Sequence, residues 1–319
     1  MRSFTLSLLP TLLCFSSSAG AQQLESTAYS GSVTVSTPGI YNEYSPYSNK
    51  PGAIIEIISG GTLTNKYGGS LDNKVGGTLN NHTGGTLIND GDLYNGGTLN
   101  NAGVFYNNDY MEQTGTLHNS GTMISNASLA NMGTIYNTGT LKTYVYYAGN
   151  GTVVGDWSDF GELIPGDGWQ VYENSAVVTI DGNFYKQGGK MQIGLGGEFD
   201  GGGDKSLTEF DWLDATGNVE LAGVLNVFLV DSFEMLAGMS FEILRVGGDL
   251  TGQYVGLDEG AMVDYYDPDG GDAGPELYIT YAGGDGNDVT LYTLAAVPEP
   301  AAILLALFGL ALLPRRRRR

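Results

Sequence analysis

The stretch GGDGNDVTL, residues 283–291, sets two carboxylates, Asp285 and Asp288, among glycines. It matches the first six positions of the calcium nonapeptide G-G-x-G-x-D-x-U-x, in which stacked turns surround a hard cation with carboxylate and carbonyl oxygens. Such sites are completed by tandem copies, whereas this chain has a single copy with Thr290 at the large apolar eighth position. Asp285 and Asp288 therefore fit two readings, a Ca2+ site and a plain Gly-Asp hairpin, and the hairpin requires no cofactor. The loop DPDGGD adds Asp267, Asp269 and Asp272 without the distal Glu of an EF-hand, and reads as a solvated loop.

Other chemistries find fewer groups. His82 and His118 are the only histidines, and both fall at outward or corner positions of a polar repeat, with no Cys or second His beside them for a metal or a nucleophile triad. Glycoside hydrolases need paired carboxylates, and β-helical lyases need a basic residue. Acids are plentiful, but Asp92 and Glu112 read as isolated, and between the two chain ends the only Arg is Arg245, inside a strand. The residues point to no enzyme.

Charge narrows the partners. Six of the 14 Lys and Arg are Arg2 and Arg315–Arg319, while those same ends hold one acid, Glu299, so the intervening segment has 8 basic residues against 34 acids and a formal charge of −26. Such a surface repels nucleic acid and anionic lipid, and it fits either binding of divalent cations or simple solubility. Cys14 is the single cysteine, and Leu13 stands before it where a lipoprotein signal wants a small residue. Beyond it no disulfide or cysteine-based zinc site can hold the fold.

The ends read as targeting segments. Residues 1–21 combine Arg2, an apolar core from Phe4 to Phe15 and Ala19-Gly20-Ala21, the layout of a secretory signal cleaved after Ala21. The other end carries Pro298-Glu299-Pro300, an apolar run of 13 residues from Ala301 to Leu313, and Arg315, Arg316, Arg317, Arg318 and Arg319. A run of that length falls short of the ~20 residues of a full membrane span, but the arginines would hold it at the cytoplasmic side as a transient inner-membrane anchor. Over residues 297–319 the chain resembles the PEP-CTERM sorting signal. That resemblance implies recognition of Pro298, Glu299, Pro300 and the Arg cluster by an exosortase, and release to the surface or extracellular matrix of a Gram-negative, exopolysaccharide-producing bacterium.

The elements between follow from a repeat. Apolar residues recur every eight positions at Leu63, Leu71, Leu79 and Leu87, then every six at Leu93, Leu99, Phe105, Met111, Leu117, Met123, Leu129, Ile135 and Leu141. An amide, usually Asn, follows two places later at all but Met123 and Leu141, where Ser125 and Thr143 stand, and a Gly commonly stands two places before, giving the unit G-x-L-x-N-x. Alternation puts Gly, Leu and Asn on one face of a short strand, and a strand with one Leu buries it only by stacking on others. The fold class predicted is all-β: a parallel β-solenoid of hexapeptide-like and octapeptide-like repeats with a β-rich C-terminal portion. Leu would stack on Leu, Asn amides would bond the coils above and below, and Gly would take tight or left-handed corners. Two or three repeats per coil satisfy the spacing equally, for a rod rising about 20–35 Å.

The repeats of residues 60–143 resemble the GTLNN runs of filamentous haemagglutinin-type adhesins and autotransporter passengers, which implies an adhesin-like scaffold. The organisation expected is a signal (1–21), an N-terminal strand or cap (22–59), the repeat solenoid (60–143), a C-terminal β-rich domain (144–293) and the sorting signal (294–319). The Thr and Ser that often stand before the core residue read as β-propensity on an exposed face. The function expected is a non-enzymatic, adhesin-like surface or matrix protein that contacts exopolysaccharide or cell-surface glycans. The alternative is a carbohydrate-active enzyme on a β-helix, which requires a cleft of converging carboxylates.

Overall fold

The computed structural model describes residues 13–15, 22–23, 32–37, 39–44, 46–166, 175–268 and 274–295. The signal's residues outside Leu13–Phe15 and the sorting signal from residue 296 onward lie outside them. Leu13–Phe15 and Gln22–Gln23 add parallel pairing to Ser32–Val35 and Ile40–Asn42.

Each G-x-L-x-N-x unit forms one short strand, and every third strand in sequence pairs in parallel with the next, which builds three sheets around one core. Three repeats thus make a triangular coil. Inter-coil Asn partners are 24 residues apart at Asn65–Asn89, 22 at Asn73–Asn95, 20 at Asn81–Asn101 and 18 from Asn89–Asn107 onward, the tightening that a change from octapeptide to hexapeptide demands. The sheets pass through residues 59–60 and 143–144 without interruption, because Ile54–Ile57 pairs with Thr78–Asn81 and Thr140–Thr143 with Trp157–Asp159. After residue 175 the chain continues as strands, with the stretch NVELAGVLNVFLV, residues 218–230, divided into Val219–Leu221 and Val224–Leu229 at a corner.

Inward alternation decides the core. The Leu, Phe, Met and Ile column from Leu63 to Leu141 is at most 3% exposed throughout. At about 25 cal/mol per Å2 each such side chain adds ~2 kcal/mol when coils stack.

Asn closes each strand as expected. In the second sheet Asn42 Nδ2 donates to Asn65 Oδ1, Asn65 to Asn89, Asn89 to Asn107 and Asn107 to Ser125 Oγ, at 2.7–2.9 Å. Parallel ladders run Asn81–Asn101–Asn119–Asn137 in the first sheet and Asn49–Asn73–Asn95–Gln113 in the third. Each Asn rung from Asn42 to Asn119 also donates to a backbone carbonyl at the start of the strand that follows its partner, as Asn101 does to Thr122 O at 3.0 Å. The ladders therefore sew sides and corners together, and all donate toward the C-terminal end.

The glycines divide into two kinds, which corrects the single role expected of them. In octapeptide corners Gly76 and Gly84 take φ of +80° and +81°, a left-handed turn that Gly alone adopts without strain. The hexapeptide glycines are not left-handed. A Cβ on Gly121 would lie 2.1 Å from Gly103 O, so the coil spacing itself excludes a side chain there.

At the far end the chain reverses. Leu277–Gly283 and Asp288–Thr293 form an antiparallel hairpin on Ser240–Val246, ending the first sheet's parallel run.

Candidate functional site

The hairpin turn holds Asp285 and Asp288. Asp288 is buried, and its Oδ1 accepts from Val246 N at 2.7 Å while Oδ2 accepts from Asp285 N at 3.3 Å. Oδ1 thus clamps the turn to the neighbouring strand, and Oδ2 closes the turn on itself through the Asp285 amide. Among the described residues no group of three or more His, Cys, Asp or Glu side chains is arranged to hold a metal. Asp267 lies at the edge of its loop, and Asp269 and Asp272 are outside the described residues, as are Pro298, Glu299, Pro300 and Arg315–Arg319.

Stacking brings together residues that the sequence separates. Asp92 and Glu112 are not isolated, which corrects the sequence reading: Tyr94 faces Asp72 on one side and Glu112 on the other, with Asp92 two residues away on its own strand. Burial, then the charges of Asp92, Glu112 and Asp72, push the Tyr94 phenol above its ordinary pKa. Coil stacking makes an acidic patch from residues 20 places apart.

A second alignment runs along the outside of the first sheet. Glu56, Asn80, Asn100, His118 and Tyr136 occupy one outward column on five consecutive coils. Asn80 donates to Glu56 Oε1 at 2.8 Å and Asn100 to Asn80 Oδ1 at 2.7 Å. His118 stacks on Tyr136 with centroids 4.9 Å apart and planes 16° from parallel. His82 contacts Glu56 through Nε2. Both histidines therefore sit on the outer surface, as their repeat positions predicted.

The third constellation is a groove of about 550 Å3 near the C-terminal end, where Glu198, Asp200, Glu242 and Glu259 surround Arg245. Arg245 Nε donates to Glu242 Oε1 at 2.6 Å, and the guanidinium lies 4.6 Å from the Trp212 ring centre with Asp200 Oδ2 3.5 Å from a terminal nitrogen. Glu198 accepts from Ser240 N and Glu259 from Tyr281 N, so the main chain fixes both carboxylates. Phe210, Thr290 and Tyr292 also line it. The arrangement can accept hydrogen bonds from vicinal hydroxyls and stack a ring. Sequence reasoning missed it because its acids come from three separate loops and strands.

No protein-family model matches the chain, and no curated protein is significantly similar to it.

Proposed function

We infer that the chain is an exported, non-enzymatic, adhesin-like protein of the cell surface or extracellular matrix whose solenoid contacts exopolysaccharide or cell-surface glycans. The observation that carries this is the outer column Glu56–Asn80–Asn100–His118–Tyr136. Carboxylate, amide and aromatic groups follow one another there at the coil spacing of about 4.8 Å, a pattern suited to the hydroxyls and ring faces of an extended polymer. The resemblance of residues 297–319 to a PEP-CTERM signal supports export through the inner membrane, transient anchoring there and processing by an exosortase.

The test is retention of the purified chain on exopolysaccharide and on a glycan array, with and without Ca2+, while polymer length is followed. Retention that His118→Ala and Tyr136→Ala weaken supports the reading, and absence of retention overturns it.

The groove around Arg245 favours a second reading, a carbohydrate-active enzyme, because it supplies the converging carboxylates that such an enzyme requires. Polymer shortening abolished by Glu198→Gln or Glu242→Gln would replace the first reading with this one.

A further inference from the structure

The ladder of the second sheet does not end in an amide. After Asn107 its rungs are Ser125, Thr143, Asp159 and Lys186, each in register with the next. Asp159 and Lys186 are fully buried. Lys186 Nζ donates to Asp159 Oδ2 at 2.5 Å and to Gly161 O at 2.6 Å. The other carboxylate oxygen, Oδ1, accepts from the Thr143 hydroxyl and from Gly161 N at 3.3 Å. Trp157 Nε1 donates to Thr143 Oγ1 at 3.0 Å, and the rings of Tyr147, Trp157 and Phe184 pack in series beside the pair.

We propose that Lys186 Nζ and Asp159 Cγ join in an intramolecular isopeptide bond that staples two consecutive coils. Two charges taken out of water between aromatic rings gain little over their hydrated forms, and transfer of one proton from the ammonium to the carboxylate removes both. Burial pulls the Lys186 pKa down, with Asp159 opposing it, so the neutral amine is within reach. A neutral amine fixed against a neutral carboxylic acid is the reactant pair for condensation, and their fixed proximity replaces a bimolecular encounter.

In the step, the Nζ lone pair adds to Cγ. Negative charge develops on Oδ1, where the Thr143 hydroxyl and the Gly161 amide donate to it. Oδ2 takes up the protons released from nitrogen and leaves as water as the C–O bond breaks. The ammonium and the carboxylate become one secondary amide and one water, with no oxidation or reduction.

The surroundings match the product. The amide oxygen keeps the Thr143 hydroxyl and Gly161 N, and the amide N–H keeps Gly161 O, so each polar atom retains a partner and no buried charge is left. The new amide also occupies the rung that Asn fills in earlier coils. A covalent staple of this kind suits a segment that contains no cysteine from residue 15 onward.

The deciding measurement is peptide mapping by mass spectrometry of the purified, denatured full chain. Trypsin does not cut after an acylated lysine, and no Lys or Arg lies between Lys142 and Lys186. The bond therefore gives one product spanning residues 143–190, lighter by one water than the linear sequence and fragmenting as a loop closed between Asp159 and Lys186. Lys186→Arg, which keeps the charge, is cut into the separate linear peptides 143–186 and 187–190 with no loss of water, and Thr143→Val lowers the linked fraction. Separate peptides 143–186 and 187–190 from the wild-type chain overturn the proposal, even if one of them has lost water at another aspartate. Because the wild-type map decides alone, a variant that fails to fold does not blunt the test.

Discussion

Gln113 Nε2 and Asn131 Oδ1 stand on neighbouring rungs of the third ladder, in register, and neither has a hydrogen-bond partner. The extra methylene of Gln carries its amide past the line on which the Asn rungs meet, so a donor and an acceptor are both buried and unmatched. Restoring the shorter side chain with Gln113→Asn should complete the ladder and stabilise the protein by about 1 kcal/mol. Urea denaturation reads this directly, and an unchanged or lower midpoint would refute the account.

The ladders' direction makes a sharper claim about a near-isosteric change. Asn101 donates to Asn119 Oδ1 at 2.7 Å and to Thr122 O at 3.0 Å, while its own oxygen accepts from Asn81. Asn101→Asp replaces that donor with an acceptor and sets oxygen against oxygen in two directions. We expect a loss of about 3 kcal/mol or more, with each orphaned buried group costing about 1–3. The outward neighbour Asn100 has solvent to compensate, so Asn100→Asp should change stability by well under half of that. Equal effects in thermal denaturation would show that the inward ladder is not what holds the coils.

Two adjacent glycines should respond with opposite signs. An added Cβ at Gly96 meets nothing closer than 3.6 Å, whereas at Gly97 it lies 2.4 Å from Gly77 O. Gly96→Ala should stabilise by about 0.5 kcal/mol through the entropy of the unfolded chain. Gly97→Ala must push coils apart and should cost about 1–3 kcal/mol. Calorimetry of the two variants that finds them alike would contradict the close-spacing role assigned to the hexapeptide glycines.

These sites mark how far the sequence could be read. Period-two alternation placed every core residue from Leu63 to Leu141 inside and each Asn at a ladder rung, because both depend on strand geometry alone. The triangular coil was not legible, since flat and triangular stacks use the same hexapeptide. The ladder's continuation into Asp159 and Lys186 was hidden because the coil shortens to 16 residues between Thr143 and Asp159 and then lengthens to 27 up to Lys186, which breaks the period. The groove around Arg245 was hidden for a related reason. Its carboxylates lie on an excursion after Lys190–Leu195, on the strand Ser240–Val246 and in the loop before Met262–Val263, and only three-dimensional closure brings them together.

Asp211 supplies a test by pH. It is buried, and its two oxygens accept from Ala176 N and Gly194 N, both at 2.8 Å, which ties two segments of the C-terminal coils to one carboxyl group. Burial pushes its pKa up from 3.8 to about 8, against the pull of those two amides. A carboxyl raised in the folded state holds its proton where the unfolded chain has lost it. Its contribution is therefore fully present below the unfolded value of 3.8 and is lost as pH rises toward about 8, after which the penalty is constant. The span corresponds to a loss of a few kcal/mol across that window. Asp211→Asn keeps one acceptor and cannot ionise, so it should be less stable at acidic pH yet show a flatter profile. Repulsion among the many surface acids is common to both proteins and cancels in their difference. Urea titrations at about pH 5 and about pH 8.5 should find the variant's deficit shrinking as pH rises, because only the wild type pays for an ionising buried carboxyl. A deficit that stays constant between those two pH values would mean that Asp211 is already charged in the folded protein and that its two backbone amides, rather than burial, set its state.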